Sequence, residues 1–265
     1  MIEQSASNSD QVKRLFDAKA AVWSAKYAPG GALISRMVRF GAALEEYAPT
    51  AGRVLDLGCG TGHLAQAAAA AGMRVTGCDI SLEMLRRASA QDVSGAIEWL
   101  QLETGWSKMP FGTATFDAII AASVLEYVDN PDRVLGECAR VLSPGGILVC
   151  TVPNPIHPLR WMEWAARLLT LVPWALAAGK RSPRLDSYLI YLQISRHRHM
   201  AGWWSAAAAR HGLQDVHCAI GNGTRSPLRL LAFQRSCDNR NIPLSRATST
   251  SRSKMATFLP TDGMS

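Results

Sequence analysis

The 265-residue sequence predicts an α/β fold: a seven-stranded, mostly parallel sheet that ends in a reversed C-terminal hairpin and carries helices on both faces. Three observations predict it. Short apolar runs alternate with amphipathic stretches from Arg53 onward, the pattern of strand-helix units and a parallel sheet. Glycines at 58, 60 and 62 stop the first run and lead directly into an alanine-rich segment. Two further apolar runs near the C-terminus, Asp215 to Ile220 and Leu228 to Phe233, are close enough in sequence to pair as a hairpin.

Taken in order, Val12, Leu15, Phe16 and Trp23 recur at helical spacing, and Leu33 to Tyr47 predicts a second amphipathic helix, so residues 1–50 form helices that cover the site. A sheet domain follows over 51–235. Arg53 to Gly58 is its first strand and Leu64 to Ala71 the first following helix. Met73 to Cys78 is the second strand, and Leu82 to Ala90 a helix with Ser81 as N-cap. Ile97 to Leu102 and Phe116 to Ala121 are strands three and four. Asp132 to Leu142 is a helix, Ser143 to Gly146 a turn, and Ile147 to Thr151 strand five. Prolines 155, 158, 173 and 183 interrupt the next stretch, which predicts a lid insertion at about 153–200. Trp203 to His211 is the last helix, and 236–265, rich in Ser, Thr, Arg and Asn, reads as a disordered tail.

Composition narrows the function classes. With 48% apolar and 18% charged residues the chain can bury one core. The polar stretch Met1 to Gln11 lacks the basic and apolar regions of a secretory signal, which predicts a cytoplasmic protein. Six scattered cysteines have no metal-ligand spacing with histidine, so no metal is expected. The formal charge of +7 raises anionic partners such as nucleic acid, but part of the excess falls in the tail.

The segment that carries chemistry is Val54-Leu-Asp-Leu-Gly-Cys-Gly-Thr-Gly62, with Asp79 at the end of the next strand. Glycines there permit a tight turn on which a nucleoside-like ligand can lie against the backbone at a helix N-terminus. A carboxylate about twenty residues on, here Asp79, accepts hydrogen bonds from ribose hydroxyls. Asp56 favours a ligand with a cationic end over a pyrophosphate, which like charges would repel, and His63 stands where a dinucleotide fingerprint places its third glycine.

These residues, together with Asp79-Ile-Ser81, Met109-Pro-Phe111, Val124-Leu-Glu-Tyr-Val128 and Arg140-Val-Leu-Ser-Pro-Gly-Gly146, resemble the class I S-adenosylmethionine-dependent methyltransferases of type 11, the ubiquinone/menaquinone and small-molecule group. The resemblance spans roughly residues 10–235. It implies a Rossmann-like seven-stranded sheet, S-adenosylmethionine as cofactor, and a small-molecule or lipid-like acceptor methylated at oxygen or carbon by in-line displacement. Carried over residue by residue, it assigns the cofactor to Asp56, Leu57, Gly58, Cys59, Gly60 and Gly62 in the first turn. Asp79, Ile80 and Ser81 follow in the second, then Trp106, Ala122 and Ser123. Relatives place an acidic residue where this chain has Gly105; Glu103 or Trp106 replaces it, the latter either by stacking on the purine or only by packing.

On the acceptor side Glu126, Tyr127 and Asn154 are candidate substrate contacts. His157, His197 and His199 are candidate general bases, or else capping or exposed histidines. The apolar stretch Leu159 to Ala178, with Trp161, Trp164 and Trp174, is too short between Arg167 and Lys180 to span a bilayer. With Lys180, Arg181 and Arg184 beside it, the lid either rests peripherally on a membrane or packs as a cover on the sheet. Two other classes compete. A nucleic-acid methyltransferase or nucleic-acid-binding protein is disfavoured because Ala122-Ser-Val-Leu-Glu126 replaces the Asn/Asp-Pro-Pro-aromatic run of amino-methylating DNA enzymes. A non-catalytic relative that only binds S-adenosylmethionine would keep the same glycines and Asp79.

Overall fold

A computed structural model describes residues 7–163, 183–220 and 226–237, with backbone alone for 183–187. Three segments frame the N-terminal region. Helix α1 spans Asn8–Trp23, a 3-10 turn follows over Ser24–Tyr27, and helix α2 spans Ile34–Tyr47. The Ser7 side chain caps α1 by accepting from the Asp10 amide. Phe40, Ala43 and Leu44, spaced three and four apart, lie fully buried against the sheet side of α2.

The sheet contains β1 (Arg53–Leu57), β2 (Arg74–Asp79), β3 (Glu98–Gln101), β4 (Phe116–Ala122), β5 (Leu142–Pro153), β6 (Leu213–Asp215) and β7 (Leu228–Arg235). Their order is β3-β2-β1-β4-β5-β7-β6. The first five run parallel; β7 is antiparallel to both β5 and β6. Helices α3 (His63–Ala70), α4 (Leu82–Gln91), α5 (Pro131–Val141), α6 (Pro183–Ile194) and α7 (Ala201–Ala209) complete the fold. Strands β1 and β4 are completely buried at Val54, Leu55, Ile119 and Ile120, as expected for central parallel strands covered on both faces. One core cluster joins α5 and α7 to the sheet, a second joins α2 and α3.

Strand order reverses between β1 and β4, and in such sheets ligands bind outside the carboxyl ends of the strands at that point. Local chemistry builds the rim. Ser81 caps α4 by accepting from the Met84 amide at 3.1 Å, and Asn130 caps α5 at the Arg133 amide, followed by Pro131 in the first turn.

Three expectations need correction. The turn at Ser143–Gly146 lies inside β5: Phe116 pairs with Leu142 and Ala118 with Ile147, so four residues bulge opposite Asp117. That carboxylate accepts from the Gly52 and Arg53 amides and from the Ser143 hydroxyl, which holds the bulge in place. The first hairpin strand is Leu213–Asp215 rather than Asp215 to Ile220. The Asp215 carboxylate accepts from the His217 amide at 2.7 Å and His217 adopts φ +51°, ending the extended run. The predicted lid is not irregular where it is described: residues 158–163 are helical and α6 begins at Pro183. Pro158 and Pro183 start these helices, where the missing N–H costs nothing. The rest of the apolar stretch, with Trp164, Trp174, Lys180 and Arg181, the Arg184 side chain and nearly all of the tail lie outside the described residues.

Candidate active site

A cavity of about 510 Å³ opens at the switch point. Its floor is the turn after β1 and the end of β2; its roof is α1, which contributes Val12, Phe16 and Trp23. The roof is tied down at three places. Asn8 donates to the Tyr127 carbonyl at 2.8 Å, Ser9 donates to Asp129 at 2.5 Å, and the Ser81 hydroxyl donates to Asp17 at 2.5 Å. Polar contacts thus hold the helix at its N-terminal end and its middle, over the apolar face that lines the cavity.

The turn after β1 is pinned to β2, because the Gly58 and Cys59 amides donate to the Cys78 carbonyl at 2.7 and 3.0 Å. Gly58 has φ +68°, and a Cβ there would sit 2.4 Å from Val124 Cγ2. Gly62 has φ +80°, and its Cβ would meet the Trp99 ring at 2.5 Å. Both positions therefore require glycine on conformation and on space. Asp79 is half-buried and accepts from the Gly60 amide at 2.9 Å and the Ser81 amide at 2.8 Å. Burial raises its carboxyl pKa against the pull of those amides.

Two further carboxylates are buried in the cavity wall. Asp56 is 1% exposed, and neither of its oxygens has a hydrogen bond of good geometry. Burial and the neighbouring Asp79 push its pKa to about 7, offset in part by the Ala65 amide and the Arg36 charge. Glu126 is also 1% exposed, its Oε2 is unpartnered, and burial lifts it to about 7 despite Arg36 and Arg160. The Arg36 charge of α2 acts on both, and its guanidinium donates to the Ser123 hydroxyl at 3.0 Å and to Tyr27. On the far wall Arg160 donates twice to Glu163 at 2.7 Å, and Glu163 also receives Arg198.

A methyltransferase-domain family profile matches residues 55–150, the segment from β1 to β5. The chain is 39% identical over 109 residues to the ubiquinone/menaquinone biosynthesis C-methyltransferase UbiE of Desulfotalea psychrophila, a match covering 40% of this chain and 44% of that one. It is 33% identical over 214 residues to a demethylmenaquinone methyltransferase of Parafrankia, covering 73% of this chain and 79% of the relative. The chain belongs to the class I S-adenosylmethionine-dependent methyltransferases of type 11. Matches to the first curated relatives span less than two thirds of their length, 44% and 58% for the first two. An S-adenosylmethionine-dependent methyltransferase from Mesorhizobium loti shares the fold at TM-score 0.55 and 22% identity, over 73% of this chain and 96% of that one.

In this methyltransferase fold Asp56, Leu57, Gly58, Cys59 and Gly60 lie on the cavity wall, as do Asp79 and Ile80. Trp106, Ala122 and Ser123 also line it, while Glu103 does not. Gly62 and Ser81 stand behind the wall, one against Trp99 and the other as helix cap. Glu126 and Tyr127 line the cavity; Asn154 does not, because its side chain donates to the Ser226 carbonyl and joins β5 to the chain entering β7. The three histidine candidates are likewise placed elsewhere. His157 Nδ1 accepts from the Leu159 amide and caps the helical turn, His197 Nε2 bonds the Val128 carbonyl, and His199 stacks on Trp203 at 3.8 Å.

Sequence reasoning missed Arg36, Tyr27, Arg160 and Glu163. Arg36 sits one position before buried Met37 in a helix judged only by its apolar stripe. Arg160 and Glu163 fall in a segment read as irregular, although their i,i+3 spacing on a helix was a usable signal.

Proposed function

We propose that this chain transfers a methyl group from S-adenosylmethionine to a small-molecule or lipid-like acceptor, at oxygen or carbon. The observation that carries the reading is Asp56: a buried, unpartnered carboxylate beside a glycine cradle, with Arg36 nearby and Asp79 at the next strand end. An anion and a cation at one end of a cradle fit the ammonium and carboxylate of an amino acid. A second carboxylate held by backbone amides still has lone pairs for ribose hydroxyls. A pyrophosphate would meet Asp56 as a like charge, which argues against a dinucleotide.

When bound, the cofactor supplies an electrophilic methyl group on a sulfonium sulfur. The protein's part is positional. Asp79 and the Gly58–Gly60 backbone fix the nucleoside, Asp56 and Arg36 fix the amino-acid end, Trp106 borders the site, and α1 covers it. The names of the relatives place them in quinone biosynthesis, which supports a small-molecule acceptor.

A peripheral membrane contact for a lipid-like acceptor is supported by one patch. Ile156, Leu159, Trp161 and Met162 are exposed, Trp161 by 74%, and Leu159 is part of the cavity wall. Among the described residues no helix is long and apolar enough to cross a membrane. Sedimentation with anionic phospholipid vesicles tests the contact: Trp161→Ser should lower the bound fraction, and no binding by the wild type would refute it.

Calorimetric titration with S-adenosylmethionine, S-adenosylhomocysteine and NAD in parallel tests the main reading. Micromolar binding of the two adenosyl ligands and none of NAD is expected; NAD binding alone would overturn it.

A further inference from the structure

The cavity has an acceptor side, walled by Phe16, Tyr127, Tyr188 and Tyr191, with Phe16 and Tyr127 edge to face at 5.5 Å. Four carboxylates face this cavity besides Asp79, and their partners sort them. Asp56 lies in the glycine cradle. Glu163 is engaged by Arg160 and Arg198, and Asp129 accepts from Ser9. Glu126 remains, enclosed to 99% with Oε2 unspent. Its loop is held firmly: the Arg196 amide donates to the Glu126 carbonyl at 2.9 Å, and the Tyr127 amide donates to the Val124 carbonyl at 2.9 Å.

We propose that Glu126 is the general base for methyl transfer, taking the proton from an acidic hydroxyl on an aromatic acceptor. This rests on the methyl-transfer reading above. The O–H proton passes to Glu126 Oε2, the freed oxygen lone pair forms the new bond to the methyl carbon, and the pair from the broken carbon–sulfur bond stays on sulfur. Arg36 and Arg160 both act on this carboxylate, and the same cations stabilise a phenolate oxyanion beside it.

The groups facing Glu126 are Arg36 from α2, Arg160 from the helical turn at 158–163, Ser123 and Tyr127 from its own loop, and Cys150 from β5. Burial holds the Tyr127 phenol and the Cys150 thiol far above neutral, so both stay uncharged. Ser123 hydrogen-bonds Glu126 while accepting from Arg36, which orients the carboxylate. A base poised near neutrality is suited to proton removal at physiological pH.

The test measures methylation of a panel of phenols of graded acidity, across pH 5.5 to 9.5, by wild type, Glu126→Gln and Glu126→Asp. Wild-type kcat/KM is expected to rise tenfold per pH unit up to about 7 and then level. Glu126→Gln should lose at least 100-fold at pH 7.5, recover as each phenol ionises by itself, and still bind S-adenosylhomocysteine. A carbon-13 NMR titration of Glu-labelled wild type in complex with S-adenosylhomocysteine, with the Glu126→Asp spectrum for assignment, gives a readout independent of turnover. A Glu126 carboxyl signal titrating at its ordinary value overturns the assignment. So does a Glu126→Gln enzyme that keeps wild-type rates and pH profile, or a donor-binding wild type that methylates no phenol. Failure of the wild type to bind S-adenosylhomocysteine would instead overturn the methyl-transfer reading itself.

Discussion

Arg36 on α2 donates from Nη2 to Ser123 Oγ across 3.0 Å, joining the N-terminal helices to the loop after β4. Both residues line the cavity, and the contact gives Ser123, at the unusual φ of +57°, a fixed role for its hydroxyl. Replacing Arg36 by Ala should weaken S-adenosylhomocysteine binding by about 1.5–3 kcal/mol, the usual worth of hydrogen bonds to a charged group. Calorimetry checks this; undiminished affinity would remove Arg36 from the ligand's amino-acid end.

Asp56 sets a pH dependence. Its pKa in the fold is about 7 against 3.8 for the ordinary group, so the free protein binds a proton there that the unfolded chain releases. Glu126, raised from 4.5 to about 7, acts in the same sense. Stability of the free protein should therefore fall as pH rises from about 4 to about 7, and then level. Thermal melts at pH 6 and 8 would show the difference, and Asp56→Asn should shrink it. Binding moves oppositely, because the ligand's ammonium group prefers the ionised carboxylate: S-adenosylhomocysteine affinity should increase from pH 6 to 7 and become flat in Asp56→Asn.

The glycine cradle is expected to be intolerant in two separable ways. Gly58→Ala places a methyl group on Val124 and should lower ligand affinity, whereas the pair Gly58→Ala and Val124→Ala regains part of it. What the pair does not regain measures the cost of a side chain at positive φ, roughly 1–2 kcal/mol.

Glu163 neutralises two guanidinium groups at sites where Arg160 and Glu163 are 9% and 5% exposed. Removing it in Glu163→Ala leaves buried charge without a partner, so urea unfolding should show a loss of about 3–5 kcal/mol. A change below 1 kcal/mol would mean that water reaches both arginines.

Asp79→Ala should cost roughly 2–3 kcal/mol of S-adenosylhomocysteine affinity, since two ribose hydroxyls lose a charged acceptor. Adenine alone should bind both proteins equally; equal loss for adenine would show that the turn itself had collapsed.

The start of the sheet was legible because β1 and β2 are short, apolar and closed by Gly58 and by the Ser81 cap, signals that are local in sequence. The β1 turn and Asp79 were legible for the same reason: backbone cradle and carboxylate lie within one strand-helix-strand unit. Arg36 was not, since its partner Ser123 is 87 residues away and nothing in α2 marks one arginine among its polar positions. Residue type alone leaves His157, His197 and His199 open between a base and a capping or exposed histidine; in the fold they are engaged by an amide, a carbonyl and an indole outside the cavity. Pro158 and Pro183, which interrupt the pattern in the sequence, begin helices in the fold.

The Trp99 ring fills the space that two glycines leave: a Cβ on Gly62 or on Gly77 would come within 2.5 Å of it. Positions 62, 77 and 99 thus form one heritable unit. A lineage that lost the indole could accept alanine at 77, and only after that loss would position 62 be eased, still meeting Ala88 Cβ at 3.0 Å and still constrained by its φ of +80°. Substitutions at these three sites should therefore be ordered in descent, with the change at 99 preceding the others.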